Sequence, residues 1–143
     1  MKSFSISIDI DAPTERVWAI MSDIERWHEW TPSVRSIRKL DAGDLRIGTR
    51  AIVRQPKLPP AFWRITAVQP GREFTWVSKG PGMLVTARHG VAPTATGSRA
   101  TLSIHYEGLL SPLLLWMTKN VNDAYLALEA NGLKQRSESS RET

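Results

Sequence analysis

The chain has 143 residues, 41% of them hydrophobic, no cysteine, and 19 Lys and Arg against 14 Asp and Glu for a net charge of +5. That length suits one domain with a core of its own, and the absence of cysteine excludes a disulfide scaffold, a thiolate metal site and a cysteine nucleophile. The basic residues are scattered with no run longer than two, so a solvated basic face is the simpler reading and argues against a nucleic-acid partner.

The N-terminus alternates from Ser3 to Ile10, with Phe4, Ile6, Ile8 and Ile10 on one side and Ser3, Ser5, Ser7 and Asp9 on the other, which predicts a half-buried strand. It lacks the continuous apolar core of a secretory leader. The longest apolar stretch, Leu113 to Met117, falls far short of the roughly 20 residues that span a bilayer, so the expected location is cytoplasmic. Pro13 suits a first helical position and Glu15 a helix start. Ser22-Asp23-Ile24-Glu25 has capping-box spacing, so two short helices are expected over 13–20 and 23–29.

From 33 to 107 the pattern is strand-like, cut by turn residues at 41–44, 55–60, 70–71, 80–82 and 95–98. The spacing predicts six antiparallel strands near 34–40, 47–55, 61–69, 72–79, 83–92 and 98–107. Alternation places Arg50, Arg54, Arg64, Thr86, Arg88 and His105 on a wet face. It places Ala51, Val53, Trp63, Ile65, Phe74, Trp76, Ala87, His89, Leu102, Ile104 and Tyr106 on a dry one. Ser111-Pro112 then reads as the start of a long helix. Its expected buried stripe is Leu110, Leu114, Met117, Val121, Ala124 and Leu128. A single domain over 1–136 and a polar tail over 137–143 complete the organisation.

The wording Ile8-x-Ile10-x-Ala12-Pro13-x-Glu15-x-Val17-Trp18, followed by Asp23-x-x-x-Trp27-x-x-Trp30-x-Pro32-x-Val34, resembles the opening of a known superfamily. Later segments fit as well: Trp63 to Gly71, Phe74-Thr-Trp76, Arg88-His89, Gly97-Ser98-Arg99, and Gly108 before the last helix. The chain is similar to the START/polyketide cyclase (SRPBCC, Bet v 1-like) superfamily, in its bacterial polyketide cyclase/dehydrase-like branch. That resemblance implies an α+β helix-grip fold: a seven-stranded antiparallel sheet curled around a long C-terminal helix, in the order strand, two helices, six strands, helix. It also implies a cavity between sheet and helix for a hydrophobic or amphipathic small molecule. Large residues on the dry face opposite Val121 and Ala124 on the helix agree with a cavity, though small against large is also ordinary packing.

Within that cavity Trp63, Trp76, Met117 and Val121 are expected as walls, with Trp30 at the helix exit as a further wall residue. Gln55, His89 and Tyr106 are expected to orient the ligand. Arg54 and the loop Lys57 to Pro60 suggest a basic rim that draws in an acidic ligand. His28, His89 and His105 have no metal-ligand spacing, no phosphate-cradling loop is present, and no cofactor is expected. A cyclase/dehydratase would rest on His89 as acid–base residue, since neither a nucleophile elbow nor paired carboxylates are visible. A further alternative is an interaction module using the basic surface. Ligand identity and oligomeric state are not written in the pattern.

Overall fold

The computed structural model describes residues 2–109 and 111–139; for 2, 111, 113–120 and 122 it describes the backbone alone. Seven strands form one sheet: β1 (Lys2–Ile10), β2 (Ser36–Lys39), β3 (Arg50–Arg54), β4 (Ala61–Gln69), β5 (Glu73–Gly80), β6 (Met83–Pro93) and β7 (Ser98–Glu107). Helix α1 (Thr14–Ser22) and a 3-10 helix (Ile24–Glu29) follow β1, and α2 (Ser111–Glu138) closes the chain. The spatial order is β1-β7-β6-β5-β4-β3-β2, antiparallel throughout. The α+β helix-grip arrangement is therefore present, with α2 packed on β1 and β7 and α1 bridging to β6 and to α2.

Alternation accounts for this sheet. Ala51, Val53, Trp63, Ile65, Phe74, Trp76, Ala87, His89, Leu102 and Tyr106 are all buried on the helix side, while Arg50, Arg54, Arg64 and Arg88 are exposed on the other. A register shift in the β4–β5 pair between Ile65 and Ala67 is the kind of irregularity that bends a strand. The N-terminal strand pairs with the last one, Phe4 opposite Ile104 and Ile8 opposite Ala100. The Ser98 hydroxyl donates to the Ala12 carbonyl at 2.6 Å, fixing the exit from β1.

The helical segments differ from expectation in four ways. Pro13 is the N-cap rather than the first helical residue: its φ of −69° and ψ of 157° are extended, and its carbonyl accepts from the Arg16 and Val17 amides. The capping box does not form. The Glu25 carboxylate instead accepts from the Lys39 amide at 2.9 Å, tying the 3-10 helix to β2.

The largest correction concerns α2. Ala124 is exposed and Leu128 is 37% exposed, whereas Glu129, Ala130, Leu133 and Ser137 are buried and Leu126 is half-buried. The face turned to the sheet is thus Leu126, Glu129/Ala130, Leu133 and Ser137. Spacing by apolarity alone passes over it, because a carboxylate and a hydroxyl interrupt it. Leu110 and the side chains of Leu114, Trp116 and Met117 lie outside the described residues. The helix runs through Glu138, so Ser137 belongs to it and not to the polar tail.

The Arg16 guanidinium on α1 reaches the far end of α2, donating to the carbonyls of Ser137 at 2.5 Å, Arg136 at 3.0 Å and Ser139 at 2.9 Å. The last carbonyls of a helix have no partner within it, and a cation there also complements the helix dipole. Gly132 permits close approach between α2 and the 3-10 helix, since a Cβ there would lie 2.0 Å from the Trp30 carbonyl oxygen. Among the described residues no helix is long and apolar enough to cross a membrane.

Candidate functional site

The curled sheet, the 3-10 helix and α2 border a half-open cavity of about 70 Å³. Its walls come from Trp27, Val53, Trp63, Trp76 and Ala87, with Leu126 and Glu129 of α2 above them. That is smaller than most ligand pockets, which run to roughly 300 Å³ and more. The side chains of 113–120 lie outside the described residues, so this volume belongs to the part beneath Leu126 and Glu129.

His89 lines the cavity and is 5% exposed. Its imidazole stacks on Phe74, centroids 4.7 Å apart at 11°, with the Trp27 ring at 5.0 Å and Trp76 edge-on at 6.0 Å. Trp63 and Trp76 pack at 5.2 Å and continue the aromatic wall. The Trp27 indole donates to the Met21 carbonyl at 3.0 Å, which makes it a satisfied wall residue.

Against this apolar lining stands a small polar group. Glu129, 9% exposed, presents Oε1 at 3.5 Å from His89 Nε2, a separation too long for a good hydrogen bond. Three buried polar atoms of cavity residues have no hydrogen-bond partner among the described residues: Trp63 Nε1, His89 Nδ1 and Glu129 Oε1. Native interiors satisfy such atoms in the great majority of cases, and each one left alone costs about 1–3 kcal/mol. Three in one cavity therefore single it out from the rest of the core.

Of the residues expected at a binding site, Gln55, Trp63, Trp76 and His89 line this cavity together. The Gln55 amide donates to the Ser33 carbonyl at 3.2 Å, so one of its polar ends is committed to the fold. Tyr106 is buried on the same face of β7 but is not among the lining residues, and packs edge-on against Phe4. Val121 is half-buried and also outside the lining. Trp30 lies against Trp27 and lines a separate outer groove with His28, Glu29 and Gly132. The Met117 side chain is not among those described.

Glu129 has no counterpart in the sequence reading. The signal that finds it is the spacing Leu126, Ala130, Leu133, Ser137 on α2, which carries Glu129 onto the buried side. Beside the cavity, the Tyr125 hydroxyl donates to the Pro56 carbonyl, clamping α2 to the β3–β4 loop; burial holds the phenol above its ordinary pKa and so keeps its proton in place. Among the described residues no three ligating side chains gather into a metal-binding group.

A family model described as polyketide cyclase/dehydrase and lipid transport matches residues 1–138. No curated protein sequence matches the chain. Among solved structures, the Zhui aromatase/cyclase from Streptomyces sp. R1128 superposes with a TM-score of 0.81 at 11% identity, covering 96% of this chain and 93% of that one. A protein from Thermus thermophilus gives 0.76 at 17% identity, with 95% and 97% covered. One from Nitrosospira multiformis gives 0.71 at 19% identity, with 96% and 97% covered. At these identities the likeness is one of fold.

Proposed function

Because the chain belongs to the polyketide cyclase/dehydrase and lipid transport family, we propose that it binds a hydrophobic small molecule in the cavity beneath α2. The observation that carries this reading is the set of unpartnered buried atoms on Trp63, His89 and Glu129 around one aromatic-walled space. An apolar ligand body gains roughly 25 cal/mol for each Å² it removes from water, and a few convergent polar atoms fix its orientation. Trp63 and Trp76 are the walls in this reading, and His89 and Glu129 the orienting groups.

Native mass spectrometry of the protein purified from its own host tests it. A retained small molecule is expected, and it is expected to be lost from Trp76→Leu, a substitution that keeps the site apolar. A wild-type protein that retains nothing and takes up nothing from an extract of its host contradicts the reading.

A second reading has its own support. An imidazole within 3.5 Å of a buried carboxylate, in an apolar cavity, has the elements of a positioned acid–base pair. Acting on a polyketide-like chain, such a pair would move a proton during cyclisation or loss of water. Full turnover by His89→Phe would remove this reading while leaving ligand binding in place.

A further inference from the structure

We infer that the cavity is built for an uncharged hydroxyl-bearing ring, and that Glu129 is the residue that makes it reject carboxylates. This rests on the binding reading above and narrows it to a ligand class. The Trp63 indole can only donate, and an ionised carboxylate can only accept. Their buried atoms, Trp63 Nε1 and Glu129 Oε1, both lack partners among the described residues, and so does His89 Nδ1. An O–H group accepts and donates at once, so a phenol or alcohol, or a hydroxyl beside a carbonyl, answers both kinds of need.

Other heads answer fewer. A purely apolar ring leaves every one of these atoms buried and unpaired. An ammonium offers donors but nothing for the indole. A carboxylate accepts from the indole but has no donor for Glu129, and it brings a second negative charge into a site where Glu129 is only 9% exposed. Two like charges at such depth are screened far less than at the surface.

The basic rim suggested by Arg54 and Lys57 would favour the opposite choice, an acidic ligand. Both residues are exposed on the outside of the fold, however, while Glu129 lines the cavity itself. The close-range charge decides what stays bound, because surface charge is attenuated over about 10 Å at ordinary salt.

One-ring probes of nearly equal shape are the smallest that carry the three kinds of head: p-cresol, p-toluate and p-xylene. Binding is followed by the indole N–H resonances of the wild-type protein, with Trp63 assigned through Trp63→Phe. The expected result is that p-cresol shifts the Trp63 resonance and binds at least about tenfold more tightly than p-toluate or p-xylene, as a site missing a hydrogen-bond partner discriminates. In Glu129→Gln, which removes the charge and keeps the shape, p-toluate is expected to approach p-cresol within about threefold. If p-toluate or p-xylene matches p-cresol on the wild type, the inference is overturned and cavity binding survives. If none of the three moves the cavity resonances, the binding reading falls with it. The wild-type ranking stands as a test even where Glu129→Gln fails to fold.

Discussion

Phe74 is fully buried and lies parallel to His89, so it holds the imidazole plane while Trp27 and Trp76 close on its other sides. Truncating it would leave a cavity behind the histidine. Phe74→Ala is expected to cost about 3–5 kcal/mol in urea unfolding. Gly132 matters through the absence of a side chain. A methyl group there would meet the Trp30 carbonyl oxygen at 2.0 Å, and neither backbone has a rotamer by which to yield. Gly132→Ala is therefore expected to push α2 off the 3-10 helix and destabilise by about 1–3 kcal/mol, measurable as a lower urea midpoint with little change of slope. The same residue scale explains why His89 was visible in the sequence and Glu129 was not. His89 belongs to a strand, where every second residue points the same way. Glu129 belongs to a helix whose apolar spacing it breaks.

Two guanidinium contacts fasten the end of α2 to the rest of the fold. Arg16 caps the last turn through three carbonyls. Arg16→Met is expected to lose about 1–3 kcal/mol and to speed amide exchange in the last turn of α2 selectively, since those carbonyls lose the cation that α1 supplies. The second contact is at Glu29, which accepts from Arg136 at 2.6 Å and from Arg26 at 3.1 Å. Hydrogen bonds from these two guanidiniums hold its pKa at about 2, below the ordinary carboxylate value of 4.5. A carboxyl depressed by folding stabilises fully above its unfolded pKa and ceases to do so as pH falls through the folded one. The urea midpoints of wild type and Glu29→Gln are thus expected to differ near pH 6, to converge from about pH 4.5 downward, and to coincide by about pH 2.

For the molecule as a whole, the charge of +5 and the buried cavity make separate demands on solvent. Arg26, Arg50, Arg88, Arg99, Lys134 and Arg136 have acidic partners. Arg38, Arg54 and Arg64 are exposed on the outer face of β2, β3 and β4. A ligand held beneath α2 meets mainly aromatic and aliphatic walls, so its affinity is expected to change by less than about twofold between 50 and 500 mM salt. A polyanion on the outer face would lose orders of magnitude over the same range. Titration of one sample at the two salt levels separates the modes.

By itself the sequence determined the seven strands, their faces, and the burial of Trp63, Trp76 and His89. Strand alternation is a local rule with a fixed period of two, and each turn is signalled by its own residues. Only the tertiary structure decided which side of α2 meets the sheet, that Glu129 stands opposite His89, and that the described lining of this cavity does not include Tyr106 or Trp30. A helix offers every direction around its axis, and the direction that becomes buried depends on the partner. Here that choice was made by Gly132 against Trp30 and by Arg16 at the helix end, contacts between segments more than a hundred residues apart.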